Sequence, residues 1–249
     1  MYQFDSPEDS LWEATPGNRS AISNKLSGEK ISDIAIIGGG YTGLSTAYHL
    51  AKKYNISSSV IDAGHIGWGA SGRNGGFCSM GGSAESLDTL IKKYGLEDVK
   101  KYYQCQIEAI ELVRKIIIGE DIDIKIQGKA EIEVARSSRD HEVLANYAQF
   151  RQDVLGLKTK TISRTDFAEN YFDSTEQFGA ISVEPTFGIH PLRYAIGLAD
   201  AASKMGVKLY TNSEILSWSK TSKGHILKTS QGSILAKNVV FATNGFMPE

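Results

Sequence analysis

Cysteine is scarce in this 249-residue chain, which contains only Cys78 and Cys105. Two cysteines cannot build a metal cluster or a disulfide scaffold, so we expect both to be reduced thiols. The five histidines show no spacing typical of metal ligands. We therefore predict no metal site.

The chain also lacks an excess of charge and any long apolar run. Its formal net charge is −2 with mixed signs, which excludes the basic surface typical of nucleic-acid-binding proteins. No apolar run approaches about 18 residues, and the first residues lack the basic and apolar regions of a signal peptide. We therefore expect a cytoplasmic protein with neither nucleic acid nor membrane as a partner. A hydrophobic content of 41% is ample for one large domain or two modest ones.

A glycine-rich turn follows the first clear apolar run. Residues 34–37 are apolar and β-forming, residues 38–43 read Gly-Gly-Gly-Tyr-Thr-Gly, and helical periodicity follows. In the dinucleotide-binding pattern, Gly38 allows the turn, Gly40 lets the backbone approach a pyrophosphate, and Gly43 permits close packing of helix on strand. The helix N-terminus then favours phosphate. For this motif alone, an ordinary strand-to-helix corner is the alternative.

The sequence has a carboxylate at the position where dinucleotide-binding domains usually carry one. The β-branched segment at residues 58–61 is followed directly by Asp62. A carboxylate at this point accepts hydrogen bonds from the adenosine ribose hydroxyls and disfavours the 2′-phosphate of NADP. Together with the preceding strand, turn and helix, Asp62 favours dinucleotide binding over a structural corner.

A second glycine-rich stretch, residues 67–76, reads GWGASGRNGG. Its glycines allow backbone amides to close around a flat, phosphate-bearing ligand, while Ser71, Arg73 and Asn74 supply donors for the pyrophosphate or the flavin edge. A flexible linker is the alternative, although linkers rarely carry Trp, Arg and Asn among their glycines. This stretch favours FAD over NAD.

The two glycine motifs, with the acidic residue between them, resemble the FAD-dependent amine and amino-acid oxidoreductases of the D-amino-acid oxidase superfamily. Of the two motifs, the sequence GASGRNGG is the more specific to this superfamily. Within the superfamily, the chain is most similar to the gamma-glutamylputrescine oxidases. The resemblance implies an α/β fold, with a Rossmann-like FAD-binding domain of the GR2 type and an interleaved, incomplete α+β substrate domain. We expect an N-terminal arm at residues 1–30, the FAD-binding domain at residues 31–82 and 185–249, and the partial substrate domain at residues 83–184.

The motifs and the resemblance together predict one cofactor site and leave the catalytic residues unknown. In the family, the segment around Ile215 passes the adenine, and a corner of small residues at 242–245 lies beneath the FAD. The predicted cofactor-binding residues are Gly38, Gly40, Tyr41, Thr42, Gly43, Asp62, Ala63, Gly69, Ala70, Ser71, Arg73, Asn74, Gly75, Gly76, Ile215, Ala242, Thr243, Asn244 and Gly245.

Periodicity predicts the elements outside these motifs. Helical spacing covers about forty residues after Gly76. Residues 123–126 and 130–134 are typical of two strands joined by a turn. Near the end of the chain, residues 214–216 and the two segments 233–235 and 238–242 read as short strands.

Two aromatic residues outside the glycine motifs also carry expectations. The resemblance implies that Trp12 packs onto the body of the protein as part of an N-terminal arm, whereas a frayed tail is the alternative. His190 lies directly before Pro191 at a helix start. We expect His190 to cap or pack there rather than to act as an acid or base.

For function, the resemblance implies oxidation of a carbon–nitrogen bond in a small-molecule amine or amino acid, most like gamma-glutamylputrescine oxidase. Hydride moves to flavin N5, the imine hydrolyses, and oxygen or another acceptor reoxidises the flavin. The nearest enzymatic alternative is a sarcosine-type or D-amino-acid oxidase. Family members continue well beyond Glu249, so a truncated, non-catalytic nucleotide-binding or interaction module is a further alternative, with apolar surface left exposed. The second glycine motif disfavours an NAD-dependent dehydrogenase.

Overall fold

The computed structural model describes Phe4, residues 9–17 and residues 24–246, and these residues form the following elements. The helices are α1 (Leu11–Ala14), α2 (Tyr41–Tyr54), α3 (Leu87–Tyr94), α4 (Leu96–Gly119), α5 (Ser138–Leu155), α6 (Arg164–Asn170) and α7 (Pro191–Lys204). The strands are β1 (Gly28–Ile37), β2 (Ser58–Ile61), β3 (Phe77–Cys78), β4 (Glu131–Val134), β5 (Lys158–Ile162), β6 (Ala180–Glu184), β7 (Phe187–Gly188), β8 (Lys208–Tyr210), β9 (Ser217–Thr221), β10 (Gly224–Lys228) and β11 (Gly232–Phe241).

The chain divides into two units that alternate along the sequence. The first comprises Met1–Gly76, Ile116–Ile124 and His190–Glu249. The second comprises Phe77–Lys115 and Lys125–Ile189. Both glycine-rich motifs and the segment after β11 therefore belong to the first unit.

The first unit is built on a six-stranded sheet with the strand order β8-β2-β1-β11-β10-β9. Strands β8, β2, β1 and β11 run parallel, and β10 and β9 continue antiparallel. Strand β2 is buried throughout, as expected for a strand inside a parallel sheet. This sheet confirms the Rossmann-like α/β class. Because parallel strands end at one edge, the loops that follow β1, β2 and β11 emerge together.

One correction concerns β11. The sequence predicted two short strands at residues 233–235 and 238–242, but β11 is a single strand that pairs with β1 from Gly232 to Phe241. Lys237, between the two segments, suggested a break. The ladder of backbone hydrogen bonds with β1 keeps this segment extended regardless of side-chain polarity.

Helices α2 and α7 pack against each other in the first unit. Helix α2 buries Leu44, Ala47 and Tyr48, which recur at helical spacing. Helix α7 begins with Pro191, which is favourable in the first turn because an N–H group there has no partner within the helix. The sheet contributes a core cluster formed by Leu26, Ala35, Ile61, Leu227, Ile234 and Ala236.

The second unit contains a three-stranded antiparallel sheet with the order β4-β6-β5 and a two-stranded pair of β3 with β7. The predicted pairing of residues 123–126 with residues 130–134 is wrong. Strand β4 pairs instead with β6, and residues 123–126 form no strand. The unit's core packs helices onto this sheet through Leu87, Leu90, Val99, Tyr103, Ala148, Leu157, Ile181 and Val183. These long-range contacts, which local sequence does not encode, decide the pairing.

The expected long helix after Gly76 is also interrupted. Residues 79–86 are not helical, and α3 begins only after Ser86, whose hydroxyl accepts a hydrogen bond from Thr89 N–H at 3.2 Å. Gly95 separates α3 from α4 with φ +83°. A glycine in this conformation ends a helix because an α-helix cannot continue through it.

No helix within residues 9–17 and 24–246 has the length and apolar character that crossing a bilayer requires. Some large apolar side chains are nevertheless exposed, including Ile31 at 84% and Phe77 at 80%. Single exposed apolar side chains are common on protein surfaces, and the extended apolar surface expected from the sequence stays a prediction.

Candidate cofactor-binding site

Glycines at the turn between β1 and α2 bring backbone segments into close contact. A Cβ atom at Gly43 would lie 2.0 Å from the Gly38 carbonyl oxygen, and one at Gly38 would lie 2.4 Å from the Ala242 carbonyl oxygen. Gly38 also has φ +112°, which residues with side chains rarely adopt. Gly43 therefore allows α2 to approach β1, and Gly38 allows the turn to approach the end of β11.

The N-terminus of α2 has no side-chain cap from its own N-cap residue, Gly40, and no acidic residue in its first turn. The Ser71 hydroxyl oxygen, from the second glycine-rich loop, accepts a hydrogen bond of 2.9 Å from Tyr41 N–H. A Cβ atom at Gly40 would lie 2.9 Å from this same oxygen. The second loop thus reaches the point where the helix dipole favours a negatively charged group.

Asp62 follows β2 and lies beside the first glycine-rich turn. Its Oδ2 accepts a hydrogen bond of 2.5 Å from Gly39 N–H, and its Oδ1 accepts one of 2.8 Å from Gly64 N–H. Burial raises the pKa of the Asp62 carboxyl, and the two hydrogen bonds act in the opposite direction. Each carboxylate oxygen has a second lone pair, so the group can still accept hydrogen bonds from hydroxyl donors.

The second glycine-rich loop, residues 67–76, is held in shape by Asn74. Its Nδ2 donates to the carbonyl oxygens of Ala70 and Ser71 at 3.0 and 3.2 Å. Its Oδ1 accepts a hydrogen bond of 2.8 Å from Gly76 N–H. The sequence placed this side chain at the pyrophosphate or flavin edge, whereas its observed partners are backbone groups of its own loop.

Arg73 and Trp68 pack within the same loop. The Arg73 guanidinium donates to the Trp68 carbonyl oxygen and lies 4.6 Å from the centroid of the Trp68 ring. Trp68 is only 7% exposed, and its ring packs edge to face on Phe246 at 5.9 Å. A Cβ atom at Gly72 would lie 2.1 Å from the Gly67 carbonyl oxygen, so the two ends of this turn are in close contact.

The turn after β11 completes the group of loops. Ala242 N–H donates to the Ile37 carbonyl oxygen at 2.8 Å, which continues the ladder beyond the strand. Asn244 has φ +52°, and Phe246 N–H donates to the Thr243 carbonyl oxygen at 3.0 Å. This tight turn places the Phe246 ring against the tryptophan of the second loop.

Other predicted residues lie in these loops with different or smaller roles. The Tyr41 hydroxyl donates to the Pro191 carbonyl oxygen at 2.9 Å, and its ring packs on Tyr194 at 5.3 Å. Its side chain therefore joins α2 to α7, while its backbone N–H meets Ser71. The remaining predicted residues in these loops are Thr42, Ala63, Gly69, Ala70, Gly75 and Gly245.

Ile215 is linked to the loops through the backbone of the residues that precede it. The predicted strand at residues 214–216 is wrong, and the Ile215 side chain packs on the core cluster of the first unit. Ser213 N–H donates to the Asp62 carbonyl oxygen at 2.9 Å. The backbone before Ile215 is therefore tied to the end of β2, which explains why it does not extend into a separate strand.

Gly39 was absent from the predicted set but also lies in close contact with its surroundings. A Cβ atom there would lie 2.8 Å from Ile66 Cδ1 and 3.1 Å from Asp62 Oδ2. Gly67 N–H donates to the Gly39 carbonyl oxygen at 3.1 Å, which links the first turn to the second loop. The run of three consecutive glycines was the available signal.

Two expectations outside the loops are confirmed. His190 caps α7, because its Nδ1 accepts a hydrogen bond of 3.2 Å from Arg193 N–H. Trp12 packs on the body through an edge-to-face contact of 4.8 Å with the His190 ring. Residues 1–3, 5–8 and 18–23 of the expected arm lie outside the described residues.

The parallel sheet, the three convergent loops and the glycine at the N-cap of α2 agree with a comparison of the sequence with known families. The profile described as FAD dependent oxidoreductase (DAO) matches residues 33–249. The chain belongs to this family. Its cofactor is accordingly FAD, as the family's description states.

Similar proteins include curated enzymes and a solved structure. Gamma-glutamylputrescine oxidoreductase of Escherichia coli (strain K12) is 29% identical over 242 residues, covering 96% of this chain and 55% of that protein. Probable oxidoreductase OrdL of Rhizobium meliloti (strain 1021) is 30% identical over 261 residues, covering 99% and 54%. The crystal structure of glycine oxidase from Geobacillus kaustophilus is 24% identical with a TM-score of 0.66, covering 86% and 55%. The chain spans about half the length of these relatives.

The features present suit the phosphate-bearing half of FAD. The absent side chains at Gly38 and Gly43 let the loop close tightly, and α2 has neither a capping side chain at its N-cap residue, Gly40, nor an acidic residue in its first turn. An anion at this helix end would face backbone N–H groups instead of a competing carboxylate.

Proposed function

We propose that the loops after β1, β2 and β11 bind the adenosine and pyrophosphate half of FAD. The observation that carries this proposal is the hydrogen bond between the Ser71 hydroxyl and Tyr41 N–H. It joins the specific second motif to the more general first motif at the start of α2. A pyrophosphate there would accept hydrogen bonds from the N-terminal N–H groups of this helix.

The other loop residues have distinct proposed roles. Asp62 would accept hydrogen bonds from the ribose hydroxyls through lone pairs that Gly39 and Gly64 leave available. The backbone of residues 67–76 would cover the pyrophosphate, and the turn at residues 242–245 would lie beneath the cofactor. Around them, residues 31–82 and 185–249 would form the FAD-binding domain.

We propose further that the whole protein is an oxidoreductase acting on a carbon–nitrogen bond of an amine or amino acid. When bound, FAD would supply the two-electron acceptor for oxidation of this bond to an imine, which water hydrolyses, and oxygen or another acceptor would take up the electrons. The residues of this chain hold the adenosine and pyrophosphate, so that the reacting groups are presented in a fixed geometry. Residues 83–184 would supply part of the substrate domain.

The substrate we favour is a gamma-glutamylated polyamine such as gamma-glutamylputrescine. The GASGRNGG motif and the similarity to the Escherichia coli oxidoreductase support this class. A small amino acid is the second candidate, because the fold is shared with a glycine oxidase. The two classes differ in the groups that flank the oxidised bond, so a substrate panel separates them.

Uptake of FAD tests the first part of the proposal. The purified chain should be yellow with a flavin absorption spectrum, or should become so when FAD is added, and acid should release FAD. A colourless chain that does not take up added FAD would contradict the proposed cofactor site.

Turnover tests the second part. Hydrogen peroxide, or reduction of an artificial electron acceptor, would be measured with gamma-glutamylated amines, free polyamines, sarcosine, glycine and D-amino acids. Oxidation of the gamma-glutamylated amines supports the favoured class, and preference for glycine or D-amino acids supports the second candidate. Bound flavin without turnover on any of them would favour a non-catalytic nucleotide-binding module. The cytoplasmic location stays a prediction, which cell fractionation would test.

A further inference from the structure

A short N-terminal segment lies against the loop that follows β2. Its described residues are Phe4 and residues 9–17, including α1. The segment contacts the start of α7 on one side and residues 64–68 on the other. It therefore bridges a rigid helix and a loop of the proposed cofactor site.

Hydrogen bonds around His190 attach this segment to α7. His190 Nδ1 accepts from Arg193 N–H, so the neutral imidazole carries its proton on Nε2, which lies 3.1 Å from Thr15 Oγ1. The Thr15 hydroxyl in turn donates to the Leu11 carbonyl oxygen at 2.7 Å. Arg193 Nε donates to the Thr15 carbonyl oxygen at 3.0 Å, and the Trp12 ring packs edge to face on the imidazole.

On the other side, Glu13 and Phe4 face the loop that follows β2. Glu13 Oε1 lies 3.2 Å from His65 Nε2, and their side chains are only 15% and 20% exposed. The Phe4 ring packs edge to face on Trp68 at 4.8 Å. A Cβ atom at Gly64 would lie 3.0 Å from the Phe4 carbonyl oxygen, so the two backbones are also in close contact.

The contacted loop connects two parts of the proposed cofactor site. At one end, Gly64 N–H donates to the Asp62 carboxylate. At the other end, where this loop runs into the second glycine-rich loop, the Trp68 carbonyl oxygen accepts a hydrogen bond from the Arg73 guanidinium. A displacement of this loop would therefore disturb both the carboxylate on the ribose side and the loop on the pyrophosphate side.

We propose that Trp12, Glu13 and Thr15 form a clasp that positions residues 64–73 for FAD. The clasp holds the loop in its binding conformation before the cofactor arrives, which reduces the ordering that binding requires. These are positioning residues, because they act through residues 64–68 and not by touching FAD. The part of this inference that concerns FAD affinity rests on the proposed function.

The first test uses the FAD-free chain. Trp12→Ala removes the ring that packs on His190, whereas Leu11→Ala alters a side chain of the same helical turn that is 68% exposed. Hydrogen exchange at Gly64 and Gly67 N–H should be at least about fivefold faster in Trp12→Ala, with β10 amides unchanged. Leu11→Ala should match the wild type. Equal exchange in all three proteins would overturn the clasp.

The second test measures the dissociation constant of FAD by flavin fluorescence. Trp12→Ala should bind FAD about tenfold more weakly, Leu11→Ala should bind normally, and Trp12→Phe should regain most of the affinity. Equal affinity in Trp12→Ala and wild type would refute the positioning role. If the wild-type chain itself binds no FAD, the proposed function fails, and the exchange comparison still decides whether the clasp exists.

A more conservative substitution keeps the proposal testable if Trp12→Ala does not fold. Glu13→Gln keeps the size of the side chain and removes the charge that faces His65. As in Trp12→Ala, hydrogen exchange at Gly64 should be faster and FAD should bind more weakly, but the loss of affinity should be less than tenfold. Wild-type behaviour of Glu13→Gln in both measurements, with Trp12→Ala unfolded, would overturn the proposal.

Discussion

The two glycine-rich loops of the cofactor site differ in how much their own side chains contribute to their shape. Residues 38–43 owe their shape to missing side chains, because a Cβ atom at Gly43 would collide with the Gly38 carbonyl oxygen at 2.0 Å. Residues 67–76 owe theirs largely to side chains that are present, above all Asn74, which bonds to three backbone groups of its own loop. The first loop is fixed by steric exclusion, and the second adds these polar contacts to a close approach at Gly72, where a Cβ atom would lie 2.1 Å from the Gly67 carbonyl oxygen.

This contrast changes how the polar residues of the second loop are interpreted. Arg73 and Asn74 maintain the loop, while the Ser71 hydroxyl reaches the start of α2. A substitution at Arg73 or Asn74 would thus affect the cofactor through the shape of the loop. In the first loop, by contrast, an added methyl group would separate backbone segments directly.

The largest effect is expected for Gly43→Ala. The added Cβ would lie 2.0 Å from a backbone oxygen and 3.2 Å from Ile36 Cγ2, and neither can move without separating α2 from β1. We expect a loss of about 3 kcal/mol or more in the free energy of unfolding, measured by urea denaturation, together with loss of FAD binding.

Gly119→Ala is the matched control for this substitution. No atom lies within 4 Å of a Cβ atom built at Gly119, which ends α4. Its free energy of unfolding should stay within about 0.5 kcal/mol of the wild type. Similar losses in both variants would show that steric exclusion does not explain the first loop.

A smaller effect on stability and a marked loss of FAD affinity are expected for Asp62→Ala, which also removes the acceptor of the Gly39 and Gly64 N–H groups. Removal of a charge-assisted contact to ribose should weaken FAD binding by about 1.5 to 3 kcal/mol, or about 10- to 150-fold in the dissociation constant. Asp33→Ala, which removes an exposed carboxylate paired with Lys237, should leave FAD affinity unchanged. Unchanged affinity in Asp62→Ala would show that Asp62 is misassigned.

Asn74→Ala tests the second loop directly. Asn74 is exposed, so the loss of its three hydrogen bonds should cost only about 1 kcal/mol in the free energy of unfolding. FAD affinity should fall by a similar free energy, since the loop loses its preferred shape. Ser79→Ala, at an exposed residue just beyond the loop, is the control. A fall of more than about tenfold in affinity with unchanged stability would mean that Asn74 contacts the flavin after all.

The same contrast explains what the sequence could predict. The glycine spacing at residues 38–43 identified the turn, the helix start and the packing at Gly43, because the close approach of Gly43 to the Gly38 carbonyl oxygen is between residues close in the chain. The partners of Asn74 are equally local, but a polar side chain can serve a ligand or a loop, and sequence does not distinguish these uses. The resemblance to a family resolved the cofactor, and the roles of individual side chains required the geometry.

Long-range pairing was the main source of errors in the fold. Residues 123–126 have strand-like composition, yet their expected partner β4 pairs with β6, which comes much later in the sequence. Conversely, β11 remains one strand across its polar residues because β1 pairs with it throughout. Local patterns do not contain these partners, and therefore could not assign either case correctly.

The smallest expected effect is a dependence of local stability on pH. It should be measurable in the second loop and absent from the first. Burial, followed by the nearby Arg193 guanidinium, lowers the pKa of His190. Its capping bond to Arg193 N–H requires neutral imidazole, so this stabilisation is complete above the ordinary histidine pKa of about 6.5. It is lost as pH falls below that value, since the unfolded chain takes up the proton first.

His190→Asn isolates this titration, because asparagine caps helices well and does not ionise between pH 7.5 and 5.5. As the pH falls over this range, the temperature of thermal unfolding should decrease more steeply for the wild type than for His190→Asn. The other titratable groups near the clasp, Glu13, His65 and Asp123, are common to both proteins. Between pH 7.5 and 5.5, the protection of Gly67 N–H against exchange should fall in the wild type and stay level in the variant, whereas the protection of Leu44 N–H in α2 should follow the same course in both proteins. A parallel change at both amides would mean that protonation loosens the whole unit, and the two loops would then not be separately controlled.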